Sequence, residues 1–283
     1  MRHILLLTLL VPCICAAPAS RPADPVEAKC RRLLEKWQPR FDSERLNVLL
    51  SPPYVIAGDG LGRQLAQYRD RTILAATHAL QSSLFDKKLD EPVLILLFES
   101  AEPYQRLSKQ WFDDTPDTPY GYFRRDGVMV MNVGTGTGTL VHELTHALIK
   151  PDFPDVPDWL NEGLGSLYEQ CSIDGDSIQG LPNWRLTGLQ RAIRNGKLRP
   201  LTEMIQDPHF YGEQHVGLNY AEARYLLLYL QQQNKLGEFY SRVRDHHGDD
   251  PTGLATLKQM AAPDSLETFE KNWRRWVMGL RFP

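Results

Sequence analysis

Cysteine is scarce in this chain, four in 283 residues, and two of them, Cys13 and Cys15, fall within the first nineteen positions. Removal of that stretch would leave Cys30 and Cys171, hence at most one internal disulfide, which excludes a small scaffold stapled by several bridges. Spacing alone does not decide between a Cys30–Cys171 bridge and two buried thiols. Blocks of lysine or arginine are also absent and the formal charge is only -3, so no nucleic-acid partner is expected. After residue 19 no apolar run reaches the roughly 20 residues that a membrane-spanning helix needs, so no stable membrane insertion is expected once a leader is gone. No repeat of solenoid period occurs, and the one low-complexity tract is "GTGTGT" at 134–139.

What is present is ordinary globular material, 42% hydrophobic and 24% charged, enough for one large domain or two modest ones without covalent staples. The chain opens on Met1-Arg2-His3, continues apolar from Ile4 to Ala17 and then shows Ala17-Pro18-Ala19, a small-x-small pattern. Residues 1–19 are therefore expected to be a secretory signal peptide cleaved after Ala19, giving a secreted or periplasmic protein. Lipid attachment at Cys13 is disfavoured by Pro12 before it.

Apolar periodicity predicts a helix over 26–50, a short strand over 54–57 and a long amphipathic helix over 61–85. The nearly continuous apolar run at 92–98 has strand length and suits a buried central strand. A helix over 102–112 follows, then "GYFRRDGVMVMN" at 121–132, whose Asp126-Gly127 between two β-prone runs marks a hairpin. Beyond Lys150, "PDFPDVPDW" carries three prolines in nine residues and reads as an extended loop. Helical patterns then occupy 159–168, 184–195, 220–232, 235–245, 254–260 and 265–280. The expectation is an α+β chain, with a sheet and flanking helices in residues 20–150 and a mainly helical part in 151–283.

Two signals meet in "GTGTGTLVHELTHALIK" at 134–150. The glycines have neither the lysine of a phosphate-binding loop nor the spacing of a dinucleotide fingerprint, so a flexible connector is the expected role. The histidines are more specific. On a helix, His142 and His146 share one face and can reach one metal ion, while Glu143 lies about a hundred degrees round, able to lean over a water on that ion without ligating it. A zinc site that does chemistry takes three protein ligands and keeps one position for water. "DWLNEGLGSLYE" at 158–169 offers Glu162 as the third.

The pair "HELTHAL" (142–148) and "PDWLNEGLGSLYE" (157–169) resembles the gluzincin metallopeptidases, in particular the peptidase-MA-like group with thermolysin-type domains. "PVLILLFES", "GYFRRDGVMVMN", "YAEARYLLLYL" and "SLETFEKNWRRWV" fall in that family's usual order, so the likeness covers nearly the whole chain after residue 19. The resemblance implies a zincin-like fold with a mixed sheet, Zn2+ held by His142, His146 and Glu162, Glu143 as general base, and a peptide or protein substrate. It implies Tyr220 as donor to the oxyanion, with His215 and then His209 as runners-up. It also places an extended substrate along the strand at 128–130, taken as the sheet edge. One departure stands out: the family's acidic residue four places after the glutamate ligand is Ser166 here, which leaves Asn161 and Glu169 as candidates to orient the histidines, with a helix-surface role favoured for Glu169. Two other readings are kept. One is a binding module that holds zinc without turnover. The other is a scaffold with a structural zinc closed by a fourth ligand such as His215 or Cys171.

Overall fold

The computed structural model describes residues 25–282, so the expected signal peptide with Cys13 and Cys15 lies outside them. The first helix, α1 (Pro25–Ser43), is shorter than expected, and 47–51 form a strand instead. Arg45, at φ 55°, breaks the helix, while the amides of Arg45 and Leu46 turn back onto the carbonyls of Asp42 and Phe41. The strand, β1 (Asn47–Ser51), pairs antiparallel with β2 (Tyr54–Gly58) across Pro52-Pro53. The long helix expected next is present in three pieces without a break: α2 (Gly62–Tyr68), a π-helical stretch (Arg69–Leu74) and α3 (Ala75–Ser83).

Strand β3 (Val93–Phe98) is central, as its apolar run implies. After α4 (Ala101–Phe112) the hairpin β4 (Gly121–Phe123) and β5 (Val128–Asn132) completes a five-stranded mixed sheet of order β1-β2-β3-β5-β4. The chain is thus a mixed α+β protein. Side chains of β3 alternate between two cores: Val93, Ile95 and Leu97 join the large one, while Leu94, Leu96 and Phe98 meet Trp37, Phe41, Tyr104 and Leu107 of α1 and α4. Both faces being covered explains why β3 reads as continuous rather than alternating.

The expectation that 128–130 forms the sheet edge is overturned. Val130 lies opposite Leu96 on one side and Tyr122 on the other, so β5 is interior and β4 is the edge. The turn at Asp126-Gly127 brings 121–123 back over 129–131; Gly127 has φ +85°, and its amide bonds to the Arg124 carbonyl at 3.1 Å.

The connection expected to be a loop over 151–159 is one over its middle five residues and helical at both ends. After a short 3-10 turn (Val133–Thr135), α5 (Gly138–Asp152) runs through Pro151, and only 153–157 separate it from α6 (Asp158–Tyr168). The proline falls in the final turn. There the buried Asp152 carboxylate accepts from the amides of Asp86 at 2.9 Å and Lys87 at 2.8 Å, from Tyr240 Oη at 2.8 Å and from Arg244 Nη1 at 3.0 Å. A hairpin absent from the sequence reading follows, β6 (Cys171–Asp174) and β7 (Ser177–Gly180). Then come α7 (Arg185–Arg194), α8 (Leu201–Ile205), α9 (Val216–Gln232), α10 (Leu236–Asp245), α11 (Leu254–Ala261) and α12 (Leu266–Gly279).

The boundary placed at 150/151 falls inside α5, and one apolar core continues from the sheet through α5 and α6 to α12. Cys30 is buried in the smaller core and Cys171 packs against the larger one; no disulfide joins them.

Candidate metal centre

Helices α5 and α6 pack against each other, and α5 also rests on β4 and β5. The sixteen-residue offset between His146 and Glu162 thereby becomes a face-to-face meeting. His142 and His146, one turn apart on α5, have ring centroids 4.6 Å apart with planes at 78°. Glu162 Oε2 on α6 lies 3.3 Å from His142 Nε2 and 3.5 Å from His146 Nε2. One ligand atom from each of the three residues falls within 4.8 Å of the others, so the group could hold a metal ion.

The donor chemistry fits a cation. Glu162 Oε1 accepts from Tyr211 Oη at 3.0 Å, whereas Oε2, buried, has no hydrogen-bond partner and faces both imidazoles. Leaving a buried carboxylate oxygen unbonded costs about 1–3 kcal/mol or more, a cost that a bound cation removes. Space has been cleared as well: a Cβ on Gly165 would sit 2.9 Å from His142 Nε2, so glycine at this point of α6 is what admits the ring.

The histidines are held from behind. His146 Nδ1 donates to Asn161 Oδ1 at 2.9 Å, which leaves its Nε2 lone pair directed to the Glu162 side. His142 Nδ1 lies 3.3 Å from Glu169 Oε1, a charge contact without the alignment of a hydrogen bond. Glu169 is not the helix-surface residue that was favoured. The chain turns into β6 just after it, and its carboxylate is only 19% exposed, held by Arg185 Nη2 at 3.1 Å and Asn183 Nδ2 at 3.4 Å. Ser166, at the position where the resembled family is acidic, is buried with an unbonded hydroxyl.

Electrostatics follow from this enclosure. Burial by itself would raise the Glu162 carboxyl, but the two imidazoles outweigh it and hold the group well below the ordinary carboxylate range. Burial would lower His142, yet Glu162 and Glu169 push it up to about 10. Glu143, half-buried beside His142, is raised chiefly by burial, the direction a proton-accepting carboxylate needs to move toward neutral pH.

Of the three oxyanion candidates, only Tyr220 is brought to the centre. Burial and the charge of the Glu162 carboxylate raise the pKa of the Tyr220 hydroxyl, and its ring lies 5.5 Å from both the Phe210 ring and the Arg185 guanidinium carbon. His215 is exposed at the start of α9, and His209 is exposed before it; neither these nor Cys171 joins the ligand group among the described residues. Tyr211, which hydrogen-bonds the ligand itself, was missed. It lies in "HFYGEQH" at 209–215, a stretch with no periodicity to mark it.

The glycine run is a tight junction and not a slack one. Gly136 adopts φ +109°, and a Cβ on Gly138 would meet the Glu169 carbonyl oxygen at 2.5 Å, so the start of α5 is pressed against the end of α6. Compared with known proteins, no family model matches the chain and no curated protein matches it significantly.

Proposed function

We propose that the protein is a zincin-like, gluzincin-type metallopeptidase, exported by the leader expected over 1–19, that hydrolyses peptide bonds with Zn2+ held by His142, His146 and Glu162. The observation that carries this reading is the buried, otherwise unpartnered Glu162 Oε2 facing two imidazole nitrogens. Two imidazoles and one carboxylate are the donor set of catalytic zinc, and no fourth His, Cys, Asp or Glu joins the group among the described residues, which leaves room for substrate and water. Zinc so held supplies Lewis-acid polarisation of the carbonyl and acidifies water.

The chain's own residues supply the rest. Glu143 takes a proton from the attacking water and delivers it to the departing amide nitrogen. Tyr220 donates its hydroxyl to the oxygen that gains negative charge as the carbonyl carbon becomes tetrahedral. The outer edge of β4 offers backbone groups to an extended peptide, and its packing against α5 sets that peptide beside the ligand helix. Asn161 and Glu169 keep the imidazoles in place, so the geometry need not reorganise during the reaction.

Metal analysis together with a broad peptide-library digest tests the proposal. Stoichiometric zinc, cleavage that stops on chelation, and loss of cleavage in Glu143→Gln with zinc retained are the expected results. Stoichiometric zinc without cleavage of any library member would replace the peptidase by a zinc-containing binding module.

A further inference from the structure

A cavity of about 240 Å³ adjoins the centre, with His146 and Asn161 in its wall. It lies between β4, the last turns of α5 and the 153–157 turn, and it is smaller than the roughly 300–1,000 Å³ of drug-sized ligand sites. That is room for one side chain. Its apolar lining includes Phe123 from the edge strand, Ile149 from the ligand helix and Val156.

The charged lining is of one sign: Arg124, Arg125 and Lys150, with no Asp or Glu. Arg124 is neutralised elsewhere, by ion pairs to Asp114 and Asp126. Arg125 and Lys150 are exposed, and the Lys150 ammonium meets only the Arg125 carbonyl oxygen, at 3.4 Å, so neither cation has a carboxylate partner among the described residues. An apolar slot with uncompensated positive charge at its mouth complements a group with a methylene stem and an anionic end.

Resting on the peptidase reading, we infer that this cavity is a subsite for a peptide carboxylate beside the scissile bond. Its stem lies over Phe123 and Ile149, and its charge is at Lys150 and Arg125. A glutamate side chain carries stem and charge in one group, and a C-terminal residue carries them as an apolar side chain and a free carboxylate. The first makes the protein an endopeptidase with acidic preference and the second a carboxypeptidase-like enzyme.

The test uses the full, zinc-loaded Glu143→Gln protein and fluorescein-labelled hexapeptides, with Glu or Gln at each position in turn and the C-terminus free or amidated. Anisotropy is expected to show one position, or the free terminus, where the carboxylate tightens binding roughly fivefold over its amide, a gain that shrinks as salt screens it. The Arg125→Glu/Lys150→Glu variant, changed only at exposed positions, should lose that preference while melting like its parent. Equal binding of carboxylate and amide peptides, a preference unchanged in the double variant, or no binding at all overturns the inference. Digestion of the same peptides by the unmodified protein keeps the two readings apart. Carboxylate-selective binding without Glu143-dependent cleavage sinks the peptidase and leaves the subsite. Cleavage indifferent to the carboxylate does the reverse.

Discussion

Tyr211 Oη donates to Glu162 Oε1 at 3.0 Å, and the other oxygen of that carboxylate is the one that faces His142 and His146. Tyr220 reaches the same group from α9. Two phenols thus lie near one carboxylate, and the proposed mechanism gives them different roles. In it Tyr211 fixes the carboxylate, and Tyr220 serves the reacting carbonyl. Tyr211→Phe is expected to weaken zinc binding about tenfold in chelator competition. Tyr220→Phe should lower kcat about a hundredfold or more with zinc affinity nearly intact. If Tyr220→Phe instead lost zinc and kept kcat, the two assignments would have to be exchanged.

Gly165→Ala isolates the space that the His142 ring needs. The added methyl would press on the imidazole at 2.9 Å, which is nearer than real Cβ contacts come. The helix itself gains from alanine, so far-ultraviolet circular dichroism should be unchanged or slightly stronger. Zinc stoichiometry should fall well below one. Full zinc occupancy in the variant would show that the ring has room to move.

Asp152 tests how the far end of the ligand helix is anchored. Its carboxylate, fully buried, accepts from two amides, a phenol and the Arg244 guanidinium. Although burial opposes ionisation, these donors outweigh it and lower the pKa. A depressed carboxyl adds stability above its unfolded value of about 3.9 and forfeits it as pH falls through the folded value. Asp152→Asn, which leaves Arg244 without this partner, should cost about 3 kcal/mol at pH 7 by urea titration. The gap to the parent should narrow as the pH falls below about 4.

Glu222 runs the other way. It is fully buried on α9 with neither carboxylate oxygen hydrogen-bonded, and burial pushes it up to about 8, with Arg199 and Arg274 only partly offsetting that. Between the unfolded value near 4.3 and the folded one, the native state keeps a proton that the unfolded chain has lost, so stability declines as pH rises. Glu222→Gln removes that dependence. Melting curves should show the variant close to the parent at pH 4.5 and more stable at pH 8.5, by roughly 1–3 kcal/mol. A parent that is equally stable at both values would show that Glu222 finds a partner.

The parts of this architecture that were legible in the sequence are those in which a single residue pattern has a single structural solution. The run at 93–98 is apolar at every position because both faces of β3 are covered. His142 and His146 share a face because a helix repeats every 3.6 residues. What escaped was decided by contacts distant in sequence. Asn47 to Ser51 look like the end of a helix until β2 is available to pair with them. Pro151 suggests a break until Asp86, Lys87, Tyr240 and Arg244 gather on Asp152. Tyr211 acquires meaning only when the turn before α9 folds over Glu162. The sheet edge was misplaced by one strand because alternation shows which residues form strands and not which strand lies outside.

That outer strand is three residues long, Gly121 to Phe123. Open sheet edges invite other chains to add to them, and very short ones are a common defence against aggregation. Here brevity also rations recognition: so few backbone groups can grip only a residue or two of an extended chain. An unfolded segment could be held in passing, yet a neighbouring molecule's full strand would find too little to pair with. On the proposed mechanism, the same economy that would let a substrate lie beside α5 would let its fragments leave.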